Sequence, residues 1–120
     1  MTRAYAIDLH NKALSLVRSD PVMAWRCAAS AVEADATCAN AWYLLGNLLA
    51  DQKNLPASIA AFRRALRCPD GDAAGDMTLL LRHKVLVNLG HRLMGNGQLE
   101  EAETVTDEAI RVWGRNKEAV

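Results

Sequence analysis

The chain has 120 residues, the size of one ordinary domain, and its 51% apolar content is enough to build a core. Fourteen basic residues balance fourteen acidic ones, which argues against a generic nucleic-acid or anionic-membrane surface. No stretch approaches the roughly 18–20 uninterrupted apolar residues of a membrane span, and Asp8 stands where a signal peptide needs its apolar segment. The expectation is a cytoplasmic chain with no nucleic-acid and no membrane partner. Cys27, Cys38 and Cys68 are odd in number and lack CxxC spacing, which favours buried reduced thiols over a zinc or disulfide framework.

Apolar residues recur every three to four positions throughout, which predicts helices. The first runs from about Arg3 to Arg18. The second starts at Ser19-Asp20-Pro21, an N-cap acid followed by proline at the first helical position. Ala24, Ala28 and Ala31 give this second helix a face of small residues. A stronger unit follows, beginning at Ala41-Trp42-Tyr43-Leu44-Leu45-Gly46 and continuing through Leu49, Ser58, Phe62 and Ala65 to Pro69. Trp42, Leu45 and Leu49 share one helical face, and Gly46 offers a notch to a partner helix. Ala31-Val32-Glu33-Ala34-Asp35 precedes Ala65-Leu66-Arg67-Cys68-Pro69 by 34 residues.

The pattern W-x2-LG-x2-(large), then small-x3-aromatic-x2-A, then P, resembles the tetratricopeptide repeat. Leu49 and Ser58 depart from the usual tyrosine and alanine, but each keeps the size of the residue it replaces. In the first unit Asp8, Asn11 and Lys12 occupy the places of the Trp and Leu-Gly marks. A third unit follows the second by 44 residues: Leu86, Leu89-Gly90 and Leu93, then Gly97-Gln98-Leu99-Glu100-Glu101-Ala102, then Ala109-Ile110. The run from Gly97 to Ala102 is similar to the family's inter-helix junction. Leu86 and Thr106 stand where the family has aromatics.

The ten residues beyond the standard 34 fall around Pro69-Asp70-Gly71-Asp72-Ala73-Ala74-Gly75-Asp76. They read as a loop, with Asp76 capping a helix from Met77 to about Met94. A calcium loop would need an acid at its fifth position and a glutamate at its twelfth; Ala74 and Leu81 stand there.

The resemblance implies an all-α fold: a right-handed superhelical stack of antiparallel helix pairs, an α-solenoid of about six helices. It would form one domain over 1–120, with repeats at about 3–37, 39–70 and 77–116 and an inserted loop at about 69–76. It also implies that first helices line a concave groove that binds a protein or peptide. By phase the groove takes Asn40, Tyr43, Asn47 and Ala50 from the second unit. The third supplies Lys84, Val87, Asn88, His91 and Met94, and the first Ala6, Leu9, His10, Ala13 and Leu16. Amides, a phenol and an ammonium suit the backbone groups of an extended peptide. The carboxylate clamp of some family members is not reproduced, since only Lys84 matches its pattern.

The sequence offers no Gly-rich phosphate loop, HExxH or GxSxG, and so predicts no catalytic residue, no metal and no cofactor. Arg63, Arg64 and Arg67 read as a solvated helix face, and the acids at 100, 101 and 103 as partners of a helix dipole. After Trp113 little sequence remains to cover the last pair, which points to Trp113 as a self-association edge or to a stack that continues. The leading expectation is therefore a non-catalytic interaction module. The alternatives are the N-terminal recognition or oligomerisation part of a larger bacterial enzyme such as a glycosyltransferase, or a chaperone of the same repeat type.

Overall fold

A computed structural model describes residues 2–118, with side chains described through Arg115. Six helices follow in order: α1 (Thr2–Leu16), α2 (Pro21–Ala34), α3 (Ala39–Asp51), α4 (Leu55–Leu66), α5 (Leu79–Gly95) and α6 (Leu99–Glu118). They pack as three successive pairs, α1 with α2, α3 with α4, and α5 with α6.

Two of the second helices, α2 and α4, begin by a shared device. Asp20 accepts from the Met23 amide at 3.1 Å, and Asn54, 34 residues on, accepts from the Ala57 amide at 3.3 Å. Each cap satisfies a backbone donor that the first helical turn leaves unpaired. The turns before α4 and α6 share a backbone requirement. Lys53 (φ 65°) and Gly97 (φ 80°), 44 residues apart, both adopt the left-handed conformation that lets one helix stop and the next turn back.

Within each pair the notch residues touch the opposing helix. A Cβ added to Gly46 would lie 2.6 Å from the Phe62 ring of α4, and one on Gly90 would lie 2.9 Å from Thr106 Oγ1 of α6. Phe62 is fully buried, worth roughly 2–3 kcal/mol of apolar transfer. Ser58 does more than stay small. Its buried hydroxyl donates to the Gly46 carbonyl at 2.6 Å and ties α4 to α3 at the same close approach.

Stacking completes the core. One cluster joins Ala6, Ala13, Ala24, Ala28 and Ala31 to Ala41, Leu44, Leu45 and Leu48, and a second joins Ile59, Phe62 and Ala65 to Leu81, Val85, Leu89 and Leu93. Each pair thus buries its apolar face only against its neighbour, as in a solenoid. Ala6 and Ala13 depart from expectation. They are fully buried beneath α2 and α3 rather than lining a groove, because α1 turns its small residues into the contact.

The array bends in one direction. α1 reaches α3 and α3 reaches α5, whereas among the described residues α2 does not meet α4 and α4 does not meet α6 through their backbones. First helices therefore crowd the inner side and second helices splay on the outer one.

The segment between α4 and α5 differs from the loop expected. Asp76 does not cap α5; Thr78 does, accepting from the Leu81 amide at 3.1 Å, and the helix starts at Leu79. Met77 is fully buried and pairs its backbone with Pro69 and Gly71, closing the loop on itself. Asp76 instead accepts from Arg3 Nη1 at 2.7 Å, across the array on α1. Arg3 also donates to Asp35 (2.6 Å), Thr37 Oγ1 (2.8 Å) and the Ala74 carbonyl (2.9 Å). Gly75 lies under this clasp at φ 88°, where a Cβ would meet Cys38 Sγ at 2.8 Å. The insertion is a strap that binds the third repeat's entry to the first repeat.

Candidate functional site

The concave side is built from α1, α3 and α5. Helical phase sets Asn40, Tyr43 and Asn47 on one stripe of α3, and Lys84, Asn88 and His91 on the matching stripe of α5. Asn40, Tyr43, Asn47, Val87 and Asn88 are half-buried, while Lys84 and His91 are exposed.

Two of these residues meet directly. Asn88 Nδ2 donates to Tyr43 Oη at 3.2 Å and to the Lys84 carbonyl at 2.9 Å. The carbonyl accepts only, so the amide orientation is fixed and Tyr43 is the acceptor. Both bonds use Nδ2, which leaves the Asn88 amide oxygen and the Tyr43 hydroxyl proton for a ligand. The Tyr43 ring is held from behind by Phe62, with centroids 6.1 Å apart at 47°. This bridge links the inner faces of consecutive repeats.

The other predicted residues are distributed around it. Asn40 lies in the first turn of α3, and its backbone amide donates to the Gly75 carbonyl at 3.3 Å, so the strap borders that end of the concave face. Val87 packs against the cluster of Leu86, Ala109 and Val112, so its side chain serves the α5–α6 contact. His10 is half-buried, and that burial lowers its pKa, against an opposing hydrogen bond from Asn11, which disfavours the charged form. Trp113 lies on the far edge, 43% exposed, with its ring 4.9 Å from that of His83. His83 Nδ1 donates to the Ala109 carbonyl at 3.0 Å, which orients its ring beneath the indole.

The basic strip of α4 is more engaged than a solvated face. The Arg63 guanidinium bridges to Glu101 of α6, with Oε2 at 2.6 Å, and Arg64 lies 4.7 Å over the Trp42 ring. Trp42 in turn donates through Nε1 to the Ala36 carbonyl at 2.9 Å, pinning the α2–α3 turn. Glu101 therefore serves an inter-repeat ion pair as well as the helix start.

The strongest charge effects lie at the strap. The Thr37 hydroxyl and Arg3 hold Asp35 at a pKa of about 2, and Arg3 likewise holds Asp76 below the usual carboxylate range. Sequence reasoning missed this clasp because its members are separated by 32 to 73 residues and share no spacing. Cys38 and Cys68 are buried, and desolvation pushes both thiols up, which disfavours the reactive thiolate. Among the described residues no three metal-ligating side chains converge, and no helix is long and apolar enough to cross a membrane.

The family profile described as tetratricopeptide repeat matches residues 24–73, from α2 through α4 into the strap. No curated protein gives a significant match to the sequence. The matched segment, 50 of the 120 residues, and the six paired helices fit a tetratricopeptide-type repeat protein, a class whose general role is protein–protein interaction.

Proposed function

We propose that the chain is a non-catalytic interaction module that takes an extended segment of a partner protein along its concave face. In this reading the repeats divide at about 3–37, 39–70 and 77–116, and Asn40, Tyr43, Asn47, Lys84, Asn88 and His91 form the contact surface. The observation that carries it is the Asn88–Tyr43 hydrogen bond, made where the first helices crowd together. It holds two side chains of adjacent repeats ready, so that less conformational freedom is lost when a ligand binds. A peptide backbone presents alternating N–H and C=O groups, and asparagine amides supply both complements.

The test is a peptide-display selection on the immobilised chain, followed by fluorescence anisotropy with the best peptide. Replacing Asn47→Ala together with Asn88→Ala should weaken binding at least about tenfold, or roughly 1.4 kcal/mol, with circular dichroism confirming an unchanged fold. Affinity unaltered by this pair removes the concave face from consideration.

A further inference from the structure

A second recognition surface is encoded in the way the third repeat departs from the second. α4 seats α5 with Leu55, Ile59, Phe62 and Leu66. Ile59 and Phe62 share a cluster with the α5 stripe of Leu81, Val85, Leu89 and Leu93, and Leu66 packs against it. At the far end of the seat, a Cβ on Gly95 would lie 3.6 Å from Leu55. Beside it, Arg63 makes its ion pair with Glu101 of the incoming repeat.

Forty-four residues on, α6 places Leu99, Glu103, Thr106 and Ile110 at the same positions, and Asp107 in place of Arg63. Leu99 and Ile110 are 63% and 66% exposed. An open notch of about 340 Å³, lined by Met94, Leu99, Ala102, Glu103, Thr106 and Asp107, lies where the repeat frame puts the end of α5 on the second repeat. The seat therefore keeps its two apolar ends, while its centre turns acidic and its ion-pairing position is inverted in sign.

We propose that this outer face of α6 receives a cationic amphipathic helix from a partner protein. The apolar stripe of such a helix would lie on Leu99 and Ile110, and its Lys or Arg side chains would meet Glu103 and Asp107. A second copy of this chain fits less well. By the same frame its first pair would bring Met23 to the position of Glu101, opposite Asp107, and would leave that carboxylate without the cationic partner that the inverted sign calls for. The neighbouring Arg111 supplies no neutralising charge to the seat, since it is paired with Glu108.

The test uses two fluorescein-labelled peptides of about 18 residues, or five helical turns, with the same leucine stripe. One carries flanking lysines and the other flanking glutamates. The lysine peptide should bind at least about tenfold more tightly, a difference of roughly 1.4 kcal/mol, and should weaken with added salt. Glu103→Lys with Asp107→Lys should reverse the preference, while Asn47→Ala with Asn88→Ala should leave it unchanged, which separates this surface from the concave one. Equal affinities, no binding of either peptide, or a preference that survives the charge reversal would overturn the proposal. So would light scattering that shows a dimer dissociated by Ile110→Glu, because the occupant would then be a second copy.

Discussion

The second and third repeats share one frame but enforce it with different side chains. In the second, Gly46 faces a fully buried phenyl ring; in the third, Gly90 faces an exposed threonine. The turn of the second bends at a lysine and that of the third at a glycine. One repeat lies between neighbours and is packed on both sides, while the other presents α6 outward. The backbone frame thus persists where the packing that defines it has been relaxed.

The largest effect should come from the notch. Gly46→Ala drives a methyl into an enclosed ring and should cost about 2–3 kcal/mol in urea denaturation. Gly90→Ala meets only a rotatable hydroxyl and gains helix propensity, so it should stay within about 0.5 kcal/mol of the parent. Equal costs at the two sites would break the contrast.

Next comes the strap. Arg3→Ala leaves Asp35 and Asp76 without their charged donor and should lower the urea midpoint by less than Gly46→Ala does, with faster amide exchange at Gly71 and Asp76. The same clasp predicts an acid response. Asp35 and Asp76 have folded pKa values below the unfolded value of 3.8, so their contribution is complete above about pH 4. It is lost as the pH falls towards the Asp35 value of about 2. The Arg3→Ala variant should show a shallower loss across that window.

The smallest effects sharpen the comparison of turns. Lys53→Gly should stabilise by about 1 kcal/mol, by removing the left-handed strain on a side chain. Gly97→Ala should destabilise by about 1 kcal/mol although nothing lies within 4 Å of the new methyl. Thermal melts of both variants measure the backbone term alone.

The sequence made the pairs legible because their determinants are local. Asp20-Pro21, Gly46 against Phe62, and the run from Gly97 to Ala102 each specify a cap, a contact or a turn within a few dozen residues. The strap was not legible. Asp76 reads as a helix cap by position, and only the folded chain brings Arg3 close enough to claim it. Ala6 and Ala13 were misplaced for a related reason: periodicity gives the face of a helix but not which neighbour covers it. At the concave face the stripe of Asn40, Tyr43 and Asn47 followed from phase, whereas the Asn88–Tyr43 bond needed the stacking of two repeats.

Recognition along the side where first helices meet is the central claim. The most direct measurement is an amide chemical-shift map of the labelled chain titrated with a display-selected peptide. Shifts gathered at Asn40, Tyr43, Asn47, Lys84, Asn88 and His91 are the predicted result. Shifts confined to the outer faces of α2 and α4, with those six residues unmoved, would contradict it.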